Sequence, residues 1–281
     1  MHIIEYKHIA ATEQRNGYVA IPELDRYKSS VQQFIGLADL DITLTKPTAF
    51  LYVDGFAIAQ SESGINLRCP KKYLPAIKTG NSYIMHEWIY TFKGKENLVF
   101  ADIISSTCAS SLQAIHEAGH LLDRGIIEEV IIIGGERTTE DTIRLFSELS
   151  IPISCGDGFA YIRLGRDEIG STQSIHNVDW RYTYQDNPFF FPKEILDGLM
   201  PWYPVDYVKL HGTGTESNTK AESGLATLGK PIIYKPLIGH SQGISCLLET
   251  CLVLDDDSVH GKVLVTANGL GGFYGAFTLI K

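Results

Sequence analysis

Apolar residues in this chain gather in short dense runs rich in β-branched and aromatic side chains, and the stretches between several of these runs carry helical spacing. Runs of that kind read as buried strands. They are AFLYVDGFAI (49–58), NLVFADIIS (97–105), EEVIIIGG (128–135), FAYIRLG (159–165), VDYVKLH (205–211), KPIIYKPLIG (230–239), KVLVTANG (262–269) and GAFTLIK (275–281). Helical patterns cover Ser110–Asp123 and Gly243–Leu254. Strand–helix–strand alternation predicts an α/β architecture around a largely buried sheet.

The pattern also repeats. A strand ending at a reactive-looking residue, then a helix, then a strand ending in glycine occurs in each half. Each half closes on a Gly-rich turn and strand, CGDGFAYIRL (155–164) and LGGFYGAFTL (270–279). Two related halves are expected, 1–165 with the candidate cysteine and 166–281 with the candidate histidines, together one compact unit. The joining stretch 166–200 is polar and aromatic with little period, and reads as a loop lining a pocket or an interface.

Composition narrows the function classes. The 281 residues are 44% hydrophobic and 20% charged, which is ordinary for a globular chain, and the net charge is −9. Phosphate contacts need clustered Lys and Arg, so no nucleic-acid partner is expected. The basic stretches CPKKYLPAIK (69–78) and KGKEN (93–97) read as solvated loops. The cysteines Cys69, Cys108, Cys155, Cys246 and Cys251 are odd in number, widely spaced and without C-x-x-C, which fits reduced thiols rather than a disulfide framework. Cys155, Cys246 and Cys251 sit in apolar surroundings and read as small core residues. MHIIEYKHIAATEQ lacks the features of a signal peptide, and no window approaches a membrane span. A cytoplasmic protein with no membrane partner is the expectation.

The candidate chemistry starts in CASSLQAIHEAGHLL (108–122), which holds two contradictory signatures. Cys108 follows a predicted strand and opens a helix, where the macrodipole and unpaired N–H groups favour the thiolate. His116-Glu117-Ala118-Gly119-His120 fits the H-E-x-x-H pattern of zinc hydrolases, with both histidines on one helix face and Glu136 or Glu140 as an imaginable third ligand. Further on, VDYVKLH runs into His211-Gly212-Thr213-Gly214-Thr215, and YKPLIGH ends at His240, five residues after Lys235. Two histidines at strand ends beside glycines, with one cysteine at a helix start, make a Cys–His–His set. That set suits acyl transfer through a thioester, with two imidazoles stabilising an enolate or oxyanion. The zinc reading leaves both strand-end histidines unexplained, so no metal is expected, and the H-E-x-x-H match reads as coincidence.

These residues give the sequence a family likeness. STCASSL (106–112), HGTGT (211–215), Glu222, KPLIGH (235–240), GLGG (269–272) and GDGFAYIRL (156–164) resemble, in order, motifs of the β-ketoacyl synthases, the condensing enzymes of fatty acid and polyketide biosynthesis. The resemblance runs from about residue 97 to 281; the first hundred residues barely match. It implies a thiolase-like αβαβα layered fold with two pseudo-repeated halves. It implies that Cys108 is the acylated nucleophile, that His211 and His240 bind the extender thioester, and that Lys235 and Glu222 support them. Leu270 and Gly271 fall at the gatekeeper turn, with the N–H groups of Cys108 and Leu270 as the implied oxyanion hole. Substrates would arrive on the phosphopantetheine arm of an acyl carrier protein, with no resident cofactor. The chain departs from the family in its shortness before Cys108 and between Cys108 and His211, in Leu270 at the usual gatekeeper aromatic, and in Thr219 at a usual acidic position.

Three functions remain open on the sequence. The first is an acyltransferase of the 3-oxoacyl-[acyl-carrier-protein] synthase type, as a homodimer or within a heterodimer. The second is a chain-length-factor-like subunit pairing with a longer ketosynthase. The third is a thioester hydrolase or acyltransferase using Cys108 and one histidine.

Overall fold

The structure, a computed structural model, describes residues 1–25, 28–53, 83–148, 150–166, 172–183, 204–269 and 272–281. Cys69, the CPKKYLPAIK stretch, the end of the run 49–58, and the expected gatekeeper residues Leu270 and Gly271 lie outside them.

The strands are β1 (His2–Ala10), β2 (Glu13–Arg15), β3 (Tyr18–Ala20), β4 (Thr48–Val53), β5 (Leu98–Ile104), β6 (Glu129–Glu136), β7 (Cys155–Gly156), β8 (Gly158–Gly165), β9 (Ser174–Tyr182), β10 (Tyr207–Lys209), β11 (Lys230–Ile232), β12 (Lys262–Gly269) and β13 (Phe273–Ile280). Ten form one sheet in the order β11-β10-β12-β13-β9-β1-β8-β6-β4-β5, and β2-β3-β7 form a small second sheet. Read outward from its middle, the large sheet has the same plan in both directions. β1 is antiparallel to β8, β8 to β6, and β6-β4-β5 are parallel. β9 is antiparallel to β13, β13 to β12, and β12-β10-β11 are parallel. The two sets join where His2 of β1 pairs with Ser174 of β9.

The helices are α1 (Ser30–Ala38), α2 (83–91), α3 (Ser110–Asp123), α4 (Glu140–Glu148), α5 (Glu216–Glu222), α6 (Lys235–Ile238) and α7 (Ser245–Asp255). Strand alternation sorts side chains onto two faces. Val130 and Ile132 of β6 and Val263 and Val265 of β12 share one apolar cluster with Leu112, Ile115, Ala118 and Leu122 of α3 and Leu247, Leu248 and Cys251 of α7. Both sets of strands therefore cover the same central pair of helices. On the outer side, Ile131 and Ile133 pack with Phe34 of α1 and Trp88 of α2. Val208, Leu210 and Leu264 pack with Ala221 of α5. The layers are helix, sheet, helix, sheet, helix. Among the described residues, no helix is long and apolar enough to cross a membrane.

The helices α3 and α7 fall where their spacing predicts, but three elements correct the sequence reading. The stretch 166–200 is not simply a loop, because Ser174–Tyr182 is a nine-residue strand between β1 and β13. Only Ser174 and Ile175 of it are buried, so it carries no apolar run. The N-terminal segment forms β1, a partner of β8 with only Ile3 buried, for the same reason. The run 230–239 is a three-residue strand followed by the single-turn α6, whose second residue is Pro236. Proline lacks an N–H and has a fixed φ, so it suits the first turn of a helix and breaks a strand.

Phe159 anchors the outer core, its ring stacked on Phe34 at 4.8 Å and on Trp88 at 5.7 Å. Phe159→Ala is expected to lower stability by about 3–5 kcal/mol, read as a reduced urea midpoint with an unchanged slope.

Candidate active site

Cys108 lies on the turn between β5 and α3. Thr107, just before it, has φ 52°, a left-handed conformation that a β-branched residue adopts only at a cost of about 1 kcal/mol or more. The turn is held by Ser110, whose Oγ accepts from the Ser106 N–H at 2.8 Å and donates to the Thr107 carbonyl at 2.6 Å. Gly269, the end of β12, packs against it so closely that a Cβ there would lie 2.5 Å from Thr107 Oγ1. A strained, braced turn of this kind presents the Cys108 thiol, which is partly exposed, while Cys155, Cys246 and Cys251 are buried. Burial raises the last three thiols, Cys155 to about 12 and Cys246 to about 11, and leaves them inert.

His211 lies two residues beyond β10 and His240 two beyond α6; each is 2% exposed. Their rings meet edge to face at 5.3 Å between centroids, and Phe146 of α4 closes on His240 at 5.6 Å. Ligand atoms of Cys108, His211 and His240 all lie within 4.8 Å of one another. The structure thus brings together the three residues singled out in the sequence.

Different supports hold the two histidines. Glu222 of α5 accepts the backbone N–H of His211 at 2.6 Å and of Gly212 at 3.0 Å, which fixes the start of the HGTGT loop. The His240 backbone is clamped against β7, its N–H donating to the Ser154 carbonyl at 2.8 Å and its carbonyl accepting from Gly156 at 3.2 Å. The clamp needs two glycines: a Cβ on Gly156 would sit 2.2 Å from the Ile238 carbonyl oxygen, and Gly239, at φ 76°, lies against Cys155 and Gly156. On the His240 ring, Nδ1 accepts the backbone N–H of Gln242 at 3.0 Å and lies 2.9 Å from Ser245 Oγ. A backbone N–H can only donate, so Nδ1 is unprotonated and Nε2 carries the hydrogen. Neutral His240 is therefore an N–H donor.

Burial and the neighbouring ammonium groups favour the neutral form of both rings. Burial, followed by the Lys235 ammonium, holds His211 and His240 well below the usual histidine range, and Lys209 pushes the same way on both. Lys235 and Lys209 both reach Glu249 of α7, Lys235 at 2.5 Å from Oε1. Burial lowers Lys235, partly offset by Glu249. For Lys209, burial acts downward, but the pull of Glu249 outweighs it and raises the group. Burial raises Glu222, against the pull of the N–H groups of Gly212 and His211.

The same three side chains, one thiol and two imidazoles, invite a test for a metal. Ligands sharing a zinc ion lie roughly 3.5 Å apart, and metal at His240 Nε2 would need the hydrogen on Nδ1, facing the Gln242 N–H. The wiring of His240 disfavours that state, so the set does not fit a resident ion. His116 and His120 do share a face of α3, their rings 4.5 Å apart, but among the described residues no third ligand completes an ion site with them.

Sequence reasoning missed Lys209, Glu249, Gln242 and Ser245. Lys209 and Glu249 had a signal, each being a charged residue inside an apolar run, in VDYVKLH and SCLLETCLVL. Gln242 acts through its backbone and left none. Glu222→Ala would leave two N–H groups without their acceptor. The expected cost is about 2 kcal/mol or more, measured by chemical unfolding.

No family model and no curated protein matches the chain by sequence. Solved structures do match by fold. A β-ketoacyl synthase from Burkholderia phymatum STM815 superposes with a TM-score of 0.73 at 15% identity, covering 100% of this chain and 98% of that one. The ishigamide ketosynthase/chain length factor gives 0.67 at 10% identity, over 98% and 91% of the two chains. The ketosynthase ApeO in complex with its chain length factor ApeC from Xenorhabdus doucetiae gives 0.67 at 12%, over 99% and 97%. The likeness extends through the first hundred residues, where the sequence resemblance fades. The chain has the thiolase-like fold that ketosynthases share with their chain length factors.

Proposed function

We propose that the protein is a decarboxylative condensing enzyme that joins acyl and malonyl units carried on an acyl carrier protein. The observation that carries this reading is the convergence of Cys108, His211 and His240, with His240 wired as a neutral N–H donor. In the first step the Cys108 thiolate attacks the acyl thioester, the new S–C bond forms, and the carrier thiolate leaves and takes up a proton. In the second, malonyl thioester binds with its carbonyl oxygen toward the imidazoles. Its C–C bond to the carboxylate breaks, carbon dioxide leaves, and the enolate oxygen accepts hydrogen bonds from the rings. The enolate carbon then attacks the acyl-Cys108 carbonyl and expels the thiolate, which regenerates the enzyme. Lys235 and Glu222 act from behind the histidines. The family resemblance would assign the oxyanion hole to the N–H groups of Cys108 and of Leu270, the latter outside the described residues.

A second reading, a chain-length-factor-like subunit, is favoured by solved neighbours that include ketosynthase/chain length factor pairs. A type II polyketide acyl-carrier protein in complex with its ketosynthase is also among them, at a TM-score of 0.59. Either reading calls for a protein partner as well as a carrier. Strand β5, an edge of the sheet among the described residues, offers a surface for one, with Val99 53% and Phe100 40% exposed.

Intact-protein mass spectrometry after incubation with an acyl-carrier thioester separates the readings. The expected result is an acyl adduct on wild type and none on Cys108→Ala. No adduct on wild type, with stable association to a larger ketosynthase, would replace the first reading by the second. His240→Ala is expected to slow malonyl decarboxylation by about 100-fold or more through loss of an enolate donor. The working form of each imidazole is neutral, and both pKa values lie well below 6.5. Neutral donors persist as pH falls through 6.5, so a pH–rate profile should show its histidine-dependent acid limb well below that point.

A further inference from the structure

Two buried lysines converge on one carboxylate beside the histidine pair, and the motif resemblance accounts for only Lys235. Lys209 is fully buried, and Lys235 and Glu249 are each 1% exposed. Lys235 takes Oε1 of Glu249 and Lys209 takes Oε2. Removing an ammonium from water is costly even after relaxation. A single Lys–Glu pair, or an apolar residue at 209, would hold α7 to β10 with less desolvation.

The position of Lys209 explains what the second ammonium does. It lies two residues before His211, so strand alternation turns it away from Val208 and Leu210, which face the outer core. It faces α7 instead. Its Nζ also donates to the Thr266 carbonyl at 3.2 Å. The Thr266 hydroxyl lies 3.3 Å from Glu222 Oε1 and 3.2 Å from the Lys209 carbonyl, and Glu222 holds the His211 N–H. One side chain thus ties the Glu249–Lys235 pair to the Glu222 clamp.

We propose that Lys209 is a positioning residue for the histidine pair: as the second ammonium on Glu249, tied through Thr266 to the Glu222 clamp, it holds His211 and His240 in place as uncharged N–H donors. The role in catalysis rests on the condensing-enzyme reading. Among the described residues, the charged and titratable groups around the two rings include Cys108 from the turn before α3, Lys209 from β10, Lys235 from α6, Glu222 from α5, and Cys246 and Glu249 from α7. Without the Lys209 charge, Glu249 keeps one cation, and protonation of the rings meets less opposition.

The test is an NMR titration of the full chain, histidine-labelled with carbon-13, between pH 5 and 8. In wild type both rings should stay neutral throughout most of this range. In Lys209→Met, at least one should titrate about one pH unit or more higher. Malonyl decarboxylation by this variant should then fall with acid where the wild-type rate is still flat. Should Lys209→Met fail to fold, Lys209→Gln keeps a donor for Thr266 without the charge and is read in the same way. A folded neutral variant with unmoved histidine titrations makes Lys209 a structural ion and overturns the proposal, as does a wild type whose two rings titrate near 6.5. The titration needs no turnover. A wild type that decarboxylates nothing while the variant's histidines shift sinks the condensing reading and leaves the electrostatic assignment of Lys209 standing.

Discussion

The contact between Gly156 and the Ile238–Gly239 backbone is the constraint on which the site depends. It is a meeting of main chains with no room for a side chain on either side, and it draws the His240 segment against β7. Once His240 is pinned there, its ring falls within reach of the Gln242 N–H and of His211. β7 in turn pairs with β3 from near the N-terminus. Parts of the chain far apart in sequence therefore set one imidazole, and the position of that ring is as good as the packing of two glycines.

Charge is the second layer of the design. Lys209, Lys235, Glu222 and Glu249 are all buried, two of each sign, and every one has a defined partner. Buried charge is poor value for stability alone. Here it lies directly behind two buried rings, and the ammonium groups add to burial in opposing their protonation.

Much of this was legible in the sequence. Cys108, His211, Lys235 and His240 stand out because each sits at the end of an apolar run or in a short motif, Glu222 because of the family likeness, and the structure brings them together. The helices α3 and α7 were legible because their apolar spacing faces a single core. β1 and β9 were not, because strands with few buried residues carry no apolar run, yet these two make the seam between the sets of strands. The short α6 was hidden inside an apolar run that looks like a strand until the effect of Pro236 is weighed. The supports of His240 were the least legible. A backbone N–H has no letter of its own, and the Glu249–Lys209 pair links residues that only the fold makes neighbours.

Among the described residues β5 is an edge of the large sheet, and its composition has a consequence. Leu98–Ile104 reads LVFADII, with Asp102 its one charge and no proline to interrupt it. An apolar strand at the border of a sheet is a template for another extended chain, including a second copy of this one. Asp102 is then more than a solvated side chain: it is the one charge that opposes such pairing along the strand.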